Sequence, residues 1–191
     1  MIRPWKKHGK KVTYDCGFFQ IHVHQSSSPL TGKKHSFYVL NTRNWVNVVA
    51  LTEEGKVILV NQFRHGSGKI SLEIPGGAVD HRDRSPLQAA KRELLEESGY
   101  RASRWKFLGK THPNPAILNN TCYFYLAKGA RRVSDLKLDE AEELEVVLKE
   151  FKEIPRLIRK GRIRHALVVA AFHYLDLYRK QHPGKVPGPR P

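Results

Sequence analysis

Hydrophobic and polar residues alternate through the first part of the chain, which is the period of a β-strand. Phe19, Ile21 and Val23 fall on one face of an extended segment predicted over residues 12–24, and His22 and His24 fall on the other. We interpret the two histidines as a solvated face, because no third metal ligand stands near them in the sequence. Further strands are predicted over residues 36–40, 45–51 and 57–61, after a basic, frayed lead-in over residues 1–11.

The pattern changes to helical spacing after residue 85. Leu87, Ala90 and Leu94 share one face and are predicted to point at the core. A serine–proline pair at 85–86 is a helix start signal, and Gly99 is the matching stop signal. Downstream, the pattern predicts strands over residues 105–110 and 121–127, a polar connection over 128–139, and helices over 149–160 and 163–179.

The first of these helices carries a group of carboxylates on another, polar face. Glu93 and Glu97 lie one turn apart, with Glu96 beside them. Like charges at this spacing repel by about 0.2–0.5 kcal/mol per pair, so the cluster favours a bound cation. Oxygen ligands without a His or Cys set favour a hard ion, Mg²⁺ or Mn²⁺, which also binds phosphate oxygens. A solvated, glutamate-rich helix face is the alternative that the cluster alone leaves open.

The whole stretch from residue 76 to residue 100 favours the metal site. It resembles the Nudix box, which reads Gly, five residues, Glu, seven residues, then Arg-Glu-U-x-Glu-Glu-x-Gly-U, where U is bulky and apolar. Residues 92–100, RELLEESGY, match the C-terminal half. In the N-terminal half Asp83 stands where the family has Glu, and one extra residue precedes Arg92. That Glu is usually the less critical carboxylate, so the resemblance stands and gives Asp83 no assigned role.

The resemblance implies both the fold and the chemistry. We expect an α/β protein, a Nudix-type α/β/α sandwich around a mixed sheet with an antiparallel N-terminal β extension. Glu93 and Glu97 would hold Mg²⁺ (or Mn²⁺) together with the Gly76 carbonyl, and Glu96 would be a further ligand or the base. Arg92 would orient the glutamates by an ion pair. The bound metal would neutralise a diphosphate and activate water for attack at phosphorus.

The β-rich opening resembles the Nudix branch that hydrolyses ADP-ribose and related nucleoside diphosphate sugars. In that branch a Gln-aromatic-Arg segment lines the substrate site, which here corresponds to Gln62 and Arg64. Glu73, before Ile-Pro, would contact substrate or orient the loop. Pro115 stands close to the position of a proline characteristic of ADP-ribose pyrophosphatases.

The same branch takes one more carboxylate from a loop outside the box. Residues 140–146, EAEELEV, resemble that segment, a Glu-x-Glu before an apolar strand. By position Glu142 matches the metal-proximal residue and Glu140 the candidate base. A solvated acidic turn is the alternative for this segment.

Composition and charge limit the remaining possibilities. The net charge is +16, yet 14 of the 18 acidic residues lie in residues 73–97 and 135–153. This arrangement suits a cation site within a field that attracts anions, and it leaves nucleic acid as a partner neither excluded nor favoured. The longest apolar run has seven residues, so no membrane span is expected, and the two cysteines are expected to be free thiols in a reducing cytoplasm.

These observations predict a Mg²⁺-dependent hydrolase that converts ADP-ribose or a nucleotide sugar into a nucleoside monophosphate and a sugar phosphate. The expected organisation is a β extension over 1–42 that forms a homodimer through residues 12–40, a hydrolase domain over 43–182, and a disordered tail over 183–191. One alternative is an RNA-cap or oxidised-nucleotide pyrophosphohydrolase, which the basic termini suggest. The other alternative is a Nudix-fold module that senses a nucleotide without turnover.

Overall fold

The computed structural model describes residues 1–138, 143–184 and 186. The chain divides into two compact units, Met1–Asn44 with His112–Thr121, and Trp45–Thr111 with Cys122–Pro191. The first unit contains a three-stranded antiparallel sheet in the order β1-β2-β3, formed by β1 (Lys6–Asp15), β2 (Phe19–Ser27) and β3 (Lys34–Thr42).

The strand predicted over residues 12–24 is wrong in one respect, because it is two strands of a hairpin. The turn between β1 and β2 contains Gly17, with φ of 78°, and the Asp15 carboxylate accepts a hydrogen bond from the Gly17 N–H at 2.8 Å. A positive φ favours glycine, so this turn had a sequence signal. The prediction of a frayed lead-in is also wrong from Lys6 onward, where β1 begins. A lysine-rich strand that is exposed on both faces has no hydrophobic alternation to reveal it.

The prediction of solvated histidines on β2 is wrong for His22, which is only 5% exposed. Its Nε2 lies 2.9 Å from the Gln20 Oε1, a contact that satisfies the buried ring. His24 is half-buried, and burial, followed by the nearby charges of Lys7, His22 and Lys10, lowers its pKa.

The second unit is a seven-stranded mixed sheet with helices on both faces. The elements are β4 (Trp45–Thr52), β5 (Lys56–Arg64), β6 (Lys69–Glu73), β7 (Gly76–Ala78), α1 (Pro86–Ser98), β8 (Tyr100–Thr111), β9 (Cys122–Arg132), β10 (Leu144–Glu150), a 3₁₀ turn (Phe151–Glu153), α2 (Ile154–Arg159) and α3 (Ala166–Gln181). The order of the strands in the sheet is β10-β5-β4-β9-β8, with β6 paired to β5 and β7 paired to β4. Among these neighbours only β4 and β9 run parallel.

Each face of this sheet has its own hydrophobic core. Ala90 and Leu94 of α1 pack with Val46, Val48 and Ile58 on one face. On the other face α3 packs its Val168 and Leu175 against alternate residues of the same strands, together with Phe124 of β9. The α/β/α sandwich around a mixed sheet is therefore confirmed. Val186, beyond the end of α3, is also part of this second core.

The first helix is confirmed down to its caps, and the last predicted helix is confirmed as α3, with its ends two or three residues later in the chain. The Ser85 side chain accepts a hydrogen bond from the Gln88 N–H, and Gly99 ends α1 with φ of 73°. The helix predicted over 149–160 is instead the end of β10 followed by a 3₁₀ turn and the short α2, because residues 149 and 150 pair with β5. The strand β9 extends to Arg132, into the predicted polar connection. Cys16 and Cys122 are both free thiols, as expected.

Candidate active site

The helix α1 brings Glu97 against the glycine turn at β7. The Gly76 N–H donates a hydrogen bond to the Glu97 Oε2 at 2.8 Å. Glu97 is 4% exposed, so the alternative of a solvated, glutamate-rich helix face does not hold for this residue. A buried carboxylate needs hydrogen bonds or a counter-charge, and the backbone of the turn supplies one of them.

Positions 76 and 77 require glycine because neighbouring atoms leave no room for a Cβ, and not because of unusual dihedral angles. A Cβ added at Gly77 would lie 2.5 Å from the Glu93 Oε1, and one added at Gly76 would collide with the Val46 carbonyl oxygen. A side chain at Gly77 would therefore push β7 away from α1, and one at Gly76 would push it away from β4. Gly77 lets the backbone of β7 approach the Glu93 carboxylate directly, and Gly76 keeps β7 close to β4.

Arg92 connects two of the three glutamates. Its Nη1 lies 2.9 Å from the Glu93 Oε1 and 2.8 Å from the Glu96 Oε2. Its Nη2 also donates to the Ala78 carbonyl oxygen at 3.0 Å. One guanidinium therefore joins the helix to the end of β7 and restricts the rotamers of both carboxylates.

Asp83 is a member of this cluster that the sequence analysis left without a role. Its Oδ2 accepts from the Arg92 Nη2 at 2.9 Å, and its Oδ1 lies 3.3 Å from the Nε. The Asp83 side chain is 3% exposed and also accepts a hydrogen bond from the Asp80 N–H. Its place in the box pattern, at the position of the family's Glu, was the signal that could have identified it.

Burial and charge act in opposite directions on this cluster. Burial alone would raise the pKa of Asp83, but the hydrogen bond from Arg92 and that from the Asp80 N–H lower it overall. Burial alone would lower the pKa of Arg92, but Asp83, Glu93 and Glu96 raise it. Arg92 is accordingly a permanent cation, and it holds the Asp83 carboxylate ionised.

A second cluster joins the ends of β5 and β6 to the start of α3. Arg64 donates from Nε to the Glu73 Oε1 at 3.0 Å and from Nη2 to the Oε2 at 2.9 Å. The His165 Nδ1 lies 2.8 Å from the same Oε2. Burial raises the pKa of Glu73, but the hydrogen bonds of His165 and Arg64 outweigh it and bring the pKa to about 2. His165 was missed, because it lies 92 residues away in the chain.

Gln62 stands on the same strand, two residues before Arg64. Its Oε1 is shielded from solvent and has no hydrogen-bond partner among the described residues. An unsatisfied buried acceptor costs about 1–3 kcal/mol. A ligand with a hydroxyl or an N–H group would recover this cost, which is a physical reason to place Gln62 at a binding site.

Three further site residues were predicted from the sequence. Pro115 lies in the first unit, within a turn in which the Leu118 N–H donates to the Asn114 carbonyl oxygen at 2.7 Å. Glu140 and Glu142 lie outside the residues that the structure describes. For all three the sequence-based assignment stays a prediction.

The donor chemistry of the α1 cluster fits a hard divalent cation. Glu93, Glu96 and Glu97 offer only oxygen, and Gly76 and Gly77 leave no side chain between these carboxylates and the backbone of β7. Within residues 1–138, 143–184 and 186, no three His, Cys, Asp or Glu side chains converge as a complete metal site. Mg²⁺ does not need such a cage, because it typically binds one or two carboxylates and completes its shell with water and substrate phosphates.

Comparison with known proteins places the chain in a family. The model of the NUDIX domain matches residues 41–172, which is more than half of the chain. The chain therefore belongs to the Nudix family, and it is a Nudix pyrophosphohydrolase.

Two curated relatives and one solved structure show how far the similarity extends. The chain is 29% identical to an ADP-ribose pyrophosphatase of Bacillus subtilis (strain 168) over 169 residues, 88% of this chain and 90% of the relative. It is 32% identical to a methanol dehydrogenase activator of Bacillus methanolicus over 133 residues, 69% of this chain and 71% of the relative. A crystal structure of an ADP compounds hydrolase superposes with a TM-score of 0.84 at 20% identity, covering 96% and 98% of the two chains, and it confirms the fold.

Proposed function

We propose that this enzyme hydrolyses the diphosphate bond of ADP-ribose or of a related nucleoside diphosphate sugar, with Mg²⁺ or Mn²⁺ as its cofactor. The products would be a nucleoside monophosphate and a sugar phosphate. The observation that carries the proposal is the contact of Glu97 and Glu93 with the glycine pair of β7. The name of the Bacillus subtilis relative supports the choice of ADP-ribose.

The α1 cluster would bind the cofactor and organise the attacking water. Glu93 and Glu97 would be ligands, together with the Gly76 carbonyl, and Glu96 would be a further ligand or the base. The bound metal supplies charge neutralisation at the diphosphate and a more acidic water. Arg92 restrains Glu93 and Glu96 through its Nη1, while the Gly76 N–H restrains Glu97. The carboxylates are thereby positioned before substrate arrives, which removes reorganisation from the reaction step.

The chemical step is a displacement at phosphorus. The oxygen of water forms a bond to one phosphorus, and the bridging oxygen leaves with the other phosphate. The water gives its proton to a carboxylate, for which Glu96 and, from outside the described residues, Glu140 and Glu142 are the candidates. Each must come within hydrogen-bond reach of the water in the substrate complex.

The second cluster would bind the substrate. Arg64 has a planar guanidinium that can bind two phosphate oxygens at once, and its side chain is 44% exposed while paired with Glu73. Glu73 would hold Arg64 in place from the buried side, and His165 would hold Glu73. Gln62 would accept a hydrogen bond from the base or sugar. Specificity at such a site is strong, because a substrate without the matching donor leaves the buried oxygen unsatisfied.

A substrate panel tests the proposal. ADP-ribose, GDP-mannose, UDP-glucose, dinucleoside polyphosphates and capped RNA are each incubated with Mg²⁺, and release of the nucleoside monophosphate is measured. We expect the highest kcat/KM for ADP-ribose or a nucleotide sugar and loss of activity in EDTA. A higher kcat/KM for capped RNA or for the dinucleoside polyphosphates would assign the enzyme to the alternative class. No turnover of any substrate with Mg²⁺ or Mn²⁺ would contradict the proposal.

A further inference from the structure

A second concave site lies on the face of α1 that points away from Glu93 and Glu97. It is a cavity of about 410 Å³ between α1 and the first half of β8. Gln88, Lys91 and Leu95 line it from the helix, at the three- and four-residue spacing of a single helical face. Its volume lies within the range of about 300–1,000 Å³ that small-ligand sites occupy.

The lining of this cavity carries positive charge without any acid. Lys91, Arg92 and Arg101 contribute three cations, and no carboxylate is among the lining residues. Arg92 is occupied by Asp83, Glu93 and Glu96. Lys91 and Arg101, by contrast, form no salt bridge with any residue that the structure describes. Two cations at one cavity without a carboxylate partner favour an anionic ligand, for which phosphate is well suited because it offers several acceptor oxygens.

The other residues of the cavity favour a ring attached to that anion. Trp105 lines it with an indole whose Nε1 donates to the Ala102 carbonyl oxygen at 3.2 Å, which fixes the orientation of the ring system. Stacking of a base on an indole is favourable and accepts any base. Gln88 uses its Oε1 for the Arg84 N–H at 3.0 Å, so its amide N–H groups can serve a polar ligand.

We propose that this cavity is a second nucleotide site, in which Lys91 and Arg101 bind the phosphate of a nucleoside monophosphate and Trp105 stacks on its base. The site is distinct from the α1 cluster, because Glu93, Glu96 and Glu97 are not among the residues that line the cavity. Arg92 lies at both sites and makes them neighbours through one side chain.

Binding of AMP in EDTA tests the proposal without any turnover. Without metal the α1 carboxylates repel phosphate, which weakens AMP binding at the active site, and the variants of the cavity residues identify the site that calorimetry reports. We expect AMP to bind at one site per chain, and adenosine and inorganic phosphate each to bind at least 10-fold more weakly. The double variant Lys91→Ala with Arg101→Ala should weaken AMP binding at least 10-fold. Trp105→Phe, which keeps a ring, should weaken it less than Trp105→Ala.

A matched control separates the cavity from the general basic charge of the protein. Arg156 and Lys160 are exposed cations at the two ends of α2, and the double variant Arg156→Ala with Lys160→Ala removes the same two charges. This control should bind AMP as the wild type does. Circular dichroism and the Tm of each variant show whether it is folded, and the single variant Lys91→Ala provides the test if the double variant is not.

Three results would overturn the proposal. One is the absence of AMP binding at millimolar concentration in the wild type. A second is AMP binding that the folded Lys91 and Arg101 variants leave unchanged, which would place the nucleotide elsewhere. The third is equal weakening by the α2 control, which would make the effect one of net charge.

Discussion

Asp83 and Arg92 form an ion pair that joins the middle of α1 to the loop before the helix. The Arg92 Nη2 lies 2.9 Å from the Asp83 Oδ2, and the carboxylate is 3% exposed while the guanidinium is 27% exposed. The family pattern has Glu where this chain has Asp83. The shorter side chain still reaches Arg92 and accepts the Asp80 N–H as well.

We expect Asp83→Asn to lower the free energy of unfolding by about 1–3 kcal/mol, because Asn keeps one acceptor and loses the charge. Arg92 retains Glu93 and Glu96, so the protein should fold. The measurement is urea unfolding at neutral pH. Asp135→Asn is the control, because Asp135 pairs with Arg132 at 3.2 Å while its side chain is 99% exposed. The control should change stability by less than about 0.5 kcal/mol, and an equal effect of the two variants would contradict this account.

Glu97→Gln should remove most of the turnover without unfolding the protein. The amide oxygen of Gln can still accept the Gly76 N–H, but the negative charge for the metal is lost. The loss of one such electrostatic group lowers kcat by roughly 10²-fold or more. The assay is steady-state hydrolysis of the best substrate of the panel, with Glu54→Gln in an exposed hairpin turn as the control. A variant that retains wild-type kcat would show that Glu97 is not a metal ligand.

Variants at Glu140 and Glu142, which lie outside the described residues, test which carboxylate is the general base. We expect Glu142→Gln and Glu140→Gln to lower kcat, because the family resemblance gives them the roles of metal-proximal carboxylate and base. Glu143→Gln is the matched control in the same segment and should behave as the wild type. If all three variants retain wild-type kcat, the base lies within the box, and Glu96 becomes the first candidate.

The cluster of Glu73, Arg64 and His165 should make stability depend on pH in the acid range. The pKa of Glu73 is lowered from 4.5 to about 2 in the folded protein, which contributes stability above pH 4.5 that is lost as the pH falls towards 2. Glu73→Gln should therefore reduce the free energy of unfolding by about 3 kcal/mol at pH 6, by the linkage of pKa to stability. The difference from wild type should shrink steadily between pH 4.5 and pH 2.

Urea unfolding at several pH values measures this difference. Glu143→Gln, which removes an exposed carboxylate, should show no comparable loss at pH 6. His165→Ala should reduce the same pH dependence, because it removes one of the two partners of Glu73. A difference between Glu73→Gln and wild type that is constant across the range would contradict the role of these hydrogen bonds.

We predict that the protein forms a homodimer through the first unit. This unit exposes 74% of Phe18, in the turn between β1 and β2, and 66% of Tyr38 and 54% of Tyr14 on its strands, which are large apolar surfaces for a monomer to leave in water. Phe19, Ile21 and Val23, which the sequence analysis also placed at this surface, are half-buried. Sedimentation at micromolar concentration should show about twice the 21.9 kDa mass of one chain.

Variants at this surface should change the assembly. Phe18→Ser with Tyr38→Ser should shift the protein to the monomer, while Leu177→Ser, on α3 and 41% exposed, should not. A wild type that sediments only as a species of one chain would exclude the dimer.

No helix in the described ranges of the chain is long and apolar enough to cross a membrane.

The sequence by itself determined the elements whose signals are local. The helix α1 follows from a capping serine, a proline at its first turn, a terminal glycine and apolar residues at helical spacing, all within 15 residues. Helical spacing also predicted that Arg92, Glu93, Glu96 and Glu97 lie close together, because residues one turn apart on a helix are neighbours in any fold. The strands β4, β5 and β9 are similarly marked by their apolar runs.

Tertiary structure decided which of these groups are buried and what they contact. Helical periodicity alone left a solvated face open as an alternative for Glu97, because it says nothing of β7, whose Gly76 N–H donates to this carboxylate. Glu73 and His165 meet across 92 residues, and β1 pairs along its edge with no apolar pattern of its own. Hydrogen bonds and burial between distant segments depend on the packed chain, so local patterns locate the glutamates of the site while the fold alone supplies the partners that hold them.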